Sequence, residues 1–577
     1  MNKEIIRRKV LKLNKNLTHL HPVLQRIYLA RNISSPEELS RELRSLLSFS
    51  LLSGITQATK RLMLALKKQQ NTVVIGDFDT DGATSTALMI RALREFGMKN
   101  ISYLIPNRFT CGYGLTTKIV EIASAKRPNL IVTVDNGISS YPGVVKANQL
   151  GIDVLITDHH LPNDPLPPAC AIVNPNCKED AFPSKCLSGV GVSFYLMLAL
   201  RAELKKNNWF DRCGLHYPNM AKFLDFVALG TIADVVPLDK NNRILVYQGL
   251  QRIRAGKAHE GVLALLEVSG RKRERLRTSD LGFSIGPRLN AAGRLEDMSL
   301  GVDCLLADNK KTALYIAHRL DNLNQKRRVI ASRMQKEAFS FIDRFDTNQP
   351  PPPGVCLYRE EWHQGIIGLI ASQVRERIHR PTIAFSKIHD NMLQGSARSV
   401  SGLHICNILE TISIRNPELI KKFGGHAMAA GLSISLDRYT EFQQAFSEEV
   451  NRCFGEKNLR PKLITDGTLT SKELTLEFAE LIEQAEPWGQ GFPEPTFDGY
   501  FKLINQKIIR QQHLKLILQI SKMEHYLEGF VFHINAKERP DLRCRYVRLV
   551  YRLNVNEFRG RKKLQLLVDY IQPIIHK

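Results

Sequence analysis

Asp77, Asp79 and Asp81 alternate within Asp77-Phe78-Asp79-Thr80-Asp81-Gly82, directly after the apolar run Thr72-Val73-Val74-Ile75-Gly76. In an extended segment every second side chain points the same way, so the spacing predicts three carboxylates on one side of the chain. Such a group repels itself and is costly to desolvate, and a divalent cation offsets both effects. A second apolar run, Val154-Leu155-Ile156-Thr157, ends in Asp158-His159-His160, and Leu130–Val134 is followed by Asp135-Asn136-Gly137. Asp234 interrupts the apolar stretch Ala228–Leu238. Helix capping would account for it alone, but beside the other motifs it reads as a metal ligand. Carboxylates with imidazole and no thiolate suit magnesium or manganese better than zinc, and the imidazole favours manganese. The donors outnumber what one ion takes, which implies two. At about 3.5–4 Å a pair of ions can clamp a phosphoryl group, one generating hydroxide and the other stabilising the leaving oxygen. The expected reaction class is hydrolysis of a phosphodiester or pyrophosphate. The plainer alternative is an acidic turn that caps the following helix.

The elements that must position these residues are legible as an alternation. Thr72–Gly76, Ile101–Ile105, Leu130–Val134 and Val154–Thr157 read as buried parallel strands, with helices at Ala83–Phe96 and Lys118–Lys126 between them. That pattern predicts an α/β domain with a parallel sheet, which places ligands at the carboxyl ends of its strands. Each acidic motif follows the last apolar residue of a strand, so remote segments deliver donors to one edge. Asp308–Phe345 reads as a long helix on the order of 50 Å, either a rigid connector or an ordinary amphipathic core helix. The run Pro350–Pro353 ends it.

A second α/β unit follows, with strands at Val355–Tyr358 and Thr382–Phe385 flanking a helix at Ile366–Ile378. It carries Gly424-Gly425-His426, Gly395-Ser396-Ala397-Arg398 and Trp362-His363-Gln364-Gly365, types that suit phosphate through backbone amides and a guanidinium. Gly286–Arg294 reads as a backbone-tracking groove or a tight connection. Shorter strands at Phe501–Ile509, Leu514–Ile520, Tyr526–Phe532 and Tyr546–Asn554 predict a small β-barrel. Residues 501–577 hold 16 Lys+Arg against 6 Asp+Glu, a net +10, which fits a platform for single-stranded nucleic acid as well as a solvated structural face.

The 577-residue chain is long enough for three or four domains, and 43% apolar with 24% charged residues reads as globular. A net charge of +24 favours polyanions. No apolar run approaches a membrane span and the N-terminus lacks an apolar signal core, so nucleic acid in the cytoplasm is the expectation, with no membrane. The ten cysteines never form a C-x-x-C pair, and the gaps between Cys170, Cys177 and Cys186 do not match zinc spacing.

Asp79-Thr80-Asp81, Asp135-Asn136-Gly137, Asp158-His159-His160 and Asp234, in this order, resemble the four motifs of the DHH phosphoesterase superfamily. Gly424-Gly425-His426 resembles the signature of the DHH-associated domain. The resemblance covers roughly residues 40 to 577 and includes Ile105–Arg108, Gly112–Leu115, Gly230–Leu238, Gly286–Arg294, His363–Gly368, Gly395–Arg398 and Gly489–Pro495. Residues 1–70 read as helical in pattern and basic, an N-terminal helical extension; after them the resemblance implies a parallel-sheet DHH domain (71–305), a connecting helix (306–349), a DHH-associated domain (350–455) and an oligonucleotide-binding barrel (456–577). It further implies a manganese- or magnesium-dependent exonuclease that releases mononucleotides from the 5′ end of single-stranded DNA in recombination and repair. As a monomer, it would work beside a single-strand-binding protein and a helicase.

By the same resemblance Asp79, Asp81, Asp135, His159 and Asp234 are direct ligands, and Asp77, Asp158 and His160 are ligands or groups that orient them. His160 would contact the attacked phosphate. Arg108, Tyr113, Arg288, Asn290, Arg294, Ser396, Arg398, Gly424, Gly425 and His426 would bind substrate. Phe78 and Thr80 depart from the usual Tyr and Ala, and alternation predicts that both face away from the metals. Thr110-Cys111 stands where an acidic pair is usual. A phosphodiesterase of very short oligonucleotides or cyclic dinucleotides, and a non-catalytic DNA-binding scaffold, are the competing readings.

Overall fold

The computed structural model describes residues 3–10, 17–344, 351–454, 461–510, 513–520, 526–532, 534, 539–541 and 543–574. They form two compact units: residues 3–286, 302–313 and 462–577 make the first, and residues 287–301 and 314–461 the second. The expected breaks at 349/350 and 455/456 fall outside the described residues.

The first unit opens with a short strand, β1 (Glu4–Arg7), and then helices Pro22–Leu29 and Ile55–Lys67. Its main sheet holds β2 (Thr72–Ile75), β3 (Ile101–Leu104), β4 (Leu130–Val134), β5 (Asp153–Thr157) and β6 (Ala171–Val173), in the order β3-β2-β4-β5-β6. Every pairing is parallel, with Ile75 opposite Thr133 and Thr133 opposite Ile156. The central strands are buried on both faces, so they read as unbroken apolar runs. One layer packs Val73, Ile75, Ile131, Val154 and Ile156 against Ile119, Val120, Val144 and Ala147. On the other side helices Thr80–Glu95, Gly189–Lys206 and Leu224–Ala233 pack on one another.

The second unit has a five-stranded sheet in the order β10-β11-β9-β8-β7. Its strands are β7 (Val355–Tyr358), β8 (Thr382–His389), β9 (Met392–Arg398), β10 (Lys422–Gly425) and β11 (Ala429–Ser435). Only β7 and β8 run parallel. The long helix spans Lys310–Ile342, and its last turns are core rather than free connector: Met334, Ala338 and Ile342 pack with Trp362, Ile366 and Ile370. Residues Gly286–Leu295 form a helix, not a groove-lining loop, because Leu289, Ala291 and Ala292 fall on a buried side.

The chain returns to the first unit with β12 (Lys462–Thr465) and a closed barrel of β13 (Phe497–Ile509), β14 (His513–Gln519), β15 (Leu527–Val531), β16 (Tyr546–Phe558) and β17 (Arg561–Ile574). The parallel contact of β15 with β17 closes it. The reading of residues 1–70 as helical needs correction. Strand β1 pairs in parallel with β12, Arg31 makes a two-pronged ion pair with Asp466, and Tyr28 stacks near Trp488 and Phe492. The segment packs on the stretch of chain that leads into the barrel. Four residues, Glu-Ile-Ile-Arg, do not alternate and carry too little signal to mark a strand whose partner lies more than 400 residues away in the chain.

Candidate metal centre

Three strand ends and the ends of three helices of the first unit build the site. Asp77 follows β2 and Gly76, and Asp79 is the N-cap of helix Thr80–Glu95, its Oδ1 accepting from the Gly82 amide at 3.0 Å. Asp81 sits in the first turn of that helix. The three carboxylates therefore do not lie along one extended segment, because helical geometry begins at Thr80. They converge instead as strand end, cap and first turn. Asp81 turns onto the N-terminus of helix Gly189–Lys206, where Oδ2 accepts from the Gly189 amide at 2.6 Å and Oδ1 from Val190 at 3.0 Å. A Cβ on Gly189 would lie 2.5 Å from the Asp135 side chain, so only glycine lets that helix end reach the site. These two amides escaped the reading of the sequence. The signal was Ser188-Gly189-Val190-Gly191, a capping serine before glycines.

Asp135 follows β4 with φ at 62°, in the left-handed region that Asp tolerates better than most residues. Asn136 ties the strand ends together, donating to the carbonyls of Ile75 and Val134. Nε2 of His159 stands 3.1 Å from Asp135 Oδ1, 3.5 Å from Asp234 Oδ2 and 4.0 Å from Asp81 Oδ2. Asp234 ends helix Leu224–Ala233. A carboxylate is unfavourable at a helix C-terminus, so capping does not explain it, whereas a cation would. Donor atoms from Asp81, His159 and Asp234 lie within 4.8 Å of one another, as do those of Asp77, Asp79 and Asp135, and those of Asp135, His159 and His160.

Asp158 is fully buried and holds its neighbours. Its Oδ1 lies 2.7 Å from His160 Nδ1, and its Oδ2 accepts from the Ile138 amide at 2.9 Å. Burial pushes the Asp158 carboxyl up, but the His160 ring outweighs it and holds the group below its ordinary range. His160, penalised by burial but favoured by Asp158 and the surrounding carboxylates, is raised to about 9. Burial first, and repulsion from Asp79 second, lift Asp81 to about 7. Burial first also lifts Asp77, Asp135 and Asp234 well above the carboxylate range, with repulsion next from Asp79 for Asp77 and from Asp81 for the other two.

The residues fit divalent cations. Asp135 Oδ1 is buried and accepts no hydrogen bond among the described residues. Mutually repelling carboxylates out of water need positive charge. Asp77, Asp79 and Asp135 group on one side and Asp81, His159 and Asp234 on the other, with Asp135 Oδ1 3.1 Å from His159 Nε2, so these residues would accommodate two ions, and the oxygen-rich donor set is that of magnesium or manganese.

Arg108 and Tyr113 border this cluster. The Arg108 guanidinium lies 4.3 Å above the Phe78 ring, Phe78 meets Tyr113 edge-on at 5.9 Å, and the Tyr113 hydroxyl is 3.4 Å from the His160 ring nitrogens. Phe78 therefore faces the rim of the site, contrary to the alternation argument. Thr80 does turn away and donates to the Gly286 carbonyl at 3.1 Å.

The other expected substrate residues belong to the second unit. Arg288 is ion-paired with Asp321 at 2.8 Å, and Asn290 shares its helix. Arg294 donates to the Gly365 carbonyl. Arg398 donates to Ser396 Oγ at 3.0 Å, and burial lowers its affinity for its proton. A Cβ on Gly368, near the start of helix Ile367–Ile378, would lie 2.8 Å from the Arg398 guanidinium, so glycine keeps that approach open. Register places Gly424 opposite Gly431 and Gly431 opposite Ser396, so these form one row across the sheet. Gly425 has φ at 144°, and the His426 amide donates to Ala429.

Comparison with known proteins places these features together. The chain matches the DHH family N-terminal domain over residues 71–231, the DHHA1 domain over 352–452 and the RecJ OB domain over 465–570. It is 51% identical to the single-stranded-DNA-specific exonuclease RecJ of Dickeya dadantii, covering 96% of each chain. It is 49% identical to that of Haemophilus influenzae, covering 99% of this chain and all of the other. The crystal structure of RecJ from Thermus thermophilus in complex with Mn2+ superposes with a TM-score of 0.81 at 25% identity, covering 99% of this chain and 80% of that one.

Proposed function

Since the chain belongs to the RecJ family of DHH proteins, we propose that it is a 5′-to-3′ exonuclease that hydrolyses single-stranded DNA to mononucleotides in recombination and repair, using two manganese or magnesium ions. The observation that carries this reading is the meeting of Asp77, Asp79, Asp81, Asp135, His159 and Asp234 at the carboxyl edge of one parallel sheet. When bound, the ions supply an activated water and charge stabilisation at the phosphoryl oxygens.

The chain's own residues do the rest. Asp77, Asp79 and Asp135 would hold one ion, and Asp81, His159 and Asp234, with Asp135 beside them, would hold the other. Asp158 keeps His160 charged and aimed, so that its imidazolium meets the attacked phosphate. Arg108 and Tyr113 on the rim grip the terminal nucleotide. Arg288, Asn290, Arg294, Ser396, Arg398, Gly424, Gly425 and His426 hold the strand's phosphates. The basic barrel takes the trailing strand. The functional divisions we propose are 1–70, 71–305, 306–349, 350–455 and 456–577, although residues 287–301 pack with the second compact unit. The enzyme works as a cytoplasmic monomer beside a single-strand-binding protein and a helicase. No helix of the described residues is long and apolar enough to cross a membrane.

Incubation with Mn2+ and end-labelled DNA tests the reading. The expected result is release of mononucleotides from the 5′ end of single strands, with blunt duplex degraded far more slowly, and affinity that falls steeply with salt. Asp81→Ala should abolish cleavage while largely sparing DNA binding. Equal rates on blunt duplex and single strand would overturn it.

A further inference from the structure

His159 and His160 leave strand β5 beyond Thr157, its last residue paired to β6. Both residues are half-buried, and backbone polar groups off a sheet need other partners; here all four find side chains. The amides of His159 and His160 both donate to Asp158 Oδ1, at 2.7 and 3.1 Å. The carbonyls are held from the opposite side: Asn176 Nδ2 donates to the His159 oxygen at 2.5 Å, and Asn174 Nδ2 to the His160 oxygen at 2.9 Å.

Asn174-Pro175-Asn176 is itself fixed. Asn174 is 1% exposed and follows β6 directly, and its Oδ1 accepts from the Asn176 amide at 2.8 Å. That bond settles the orientation of the Asn174 amide, oxygen toward the N–H and nitrogen toward the carbonyl. Lys185 Nζ donates to the carbonyls of Pro175 and Asp180, at 2.7 and 2.8 Å, and closes the turn from below. The dipeptide is thus gripped on its donor side by one carboxylate and on its acceptor side by two amides.

We propose that Asn174 and Asn176 are positioning residues of the reaction. By clamping the two peptide carbonyls they fix the backbone rotation that brings Nε2 of His159 to Asp135 and Asp234, and that sets the His160 ring beside Tyr113. Asn176 acts on the metal-facing histidine and Asn174 on its neighbour; neither touches reacting atoms. The inference rests on the assignment of His159 as a metal ligand. Groups that orient a metal-binding histidine are typically worth 10- to 100-fold in affinity.

The test is Mn2+ binding by calorimetry to the full-length, metal-free protein and to its Asn176→Asp, Asn176→Ala and His159→Ala variants, with melting curves of each. Aspartate keeps the shape of asparagine but cannot donate, so it repels the His159 carbonyl. Both Asn176 variants should bind Mn2+ about 10- to 100-fold more weakly, melt within a few degrees of the parent without metal, and regain most of their single-strand cleavage at saturating Mn2+. Affinity within about twofold of the parent in both would overturn the clamp, as would a loss of affinity that follows a loss of fold in both. If His159→Ala binds Mn2+ like the parent, the ligand assignment fails instead, and the two failures are told apart.

Discussion

Oδ1 of Asp135 and Nε2 of His159 stand 3.1 Å apart, though they leave the sheet from different strands. Asp135 also groups with Asp77 and Asp79 on its other side. A carboxylate has two oxygens and can serve both ion positions. Asp135→Asn should therefore disturb two ions rather than one. The expected outcome is a fall in kcat on the order of 10³, since each ion supplies several kcal/mol of transition-state stabilisation, together with a calorimetric Mn2+ stoichiometry below two. A variant that still binds two ions with parental affinity would refute the bridging role.

The same carboxylates set the sign of a pH effect. Burial and the charge of Asp79 raise Asp81 to about 7, and Asp77, Asp135 and Asp234 shift the same way. In the unfolded chain these groups titrate near 4. Between those values the folded chain binds more protons, so in chelator its stability falls as pH rises from about 4 to about 7, by up to about 1.4 kcal/mol per pH unit for each such proton. Mn2+ should flatten the slope by offsetting the charge. Asp135→Asn removes one repelling carboxylate and should be the more stable protein in chelator at pH 7, despite its lower kcat. Melting temperatures of both proteins from pH 5 to 7, with and without Mn2+, check this.

What was legible follows from burial. Strands β2, β4 and β5 lie in the middle of a parallel sheet, so their apolar runs stand out, and the acidic motifs that end them mark one edge. The geometry behind the motif was not legible: Asp77, Asp79 and Asp81 alternate in sequence, yet the chain turns helical at Thr80. Strand β17 begins Arg561-Lys562-Lys563 and holds Pro573, so neither charge nor backbone signalled a barrel strand. Gly286-Pro287 does signal the helix that begins there, because proline in the first turn favours a helix start. Asn174 and Asn176 act through their amides on a segment outside the sheet ladder, which no spacing rule reveals.

Val235 has φ at 62° directly after Asp234, and it is 61% exposed. A β-branched residue in the left-handed region costs roughly 1–2 kcal/mol; glycine costs nothing there. Val235→Gly loses little burial, and the freer unfolded chain returns about 0.4–1 kcal/mol of the gain. The variant should be stabilised by about 0.5–1 kcal/mol, read as a higher denaturant midpoint at unchanged slope. A lower midpoint would mean that the valine side chain makes contacts worth more than its backbone strain.

Asp498 is fully buried on β13, yet its carboxyl is held down at about 2. Burial alone would push it up. Two nitrogens of the Arg7 guanidinium at 3.1 and 3.0 Å, Arg548 Nη2 at 3.0 Å and the Thr465 hydroxyl at 2.8 Å outweigh that. Arg7 lies on β1 and Thr465 on β12, so the carboxylate joins the N-terminal strand to the barrel. A depressed folded value means that the stabilisation is complete above about 4 and is lost as pH falls from about 4 toward 2. Its size is about 2 kcal/mol. Asp498→Asn should cost about that much at pH 7 and progressively less below pH 4, because the parent carboxyl is then itself being neutralised. Arg7→Ala should cost under about 1 kcal/mol, since its side chain is half exposed and Arg548 remains. Denaturation curves of the three proteins at pH 7 and pH 3 decide the point. If the gap between parent and Asp498→Asn stays constant across that range, the carboxylate's charge is not what fastens the strand to the barrel.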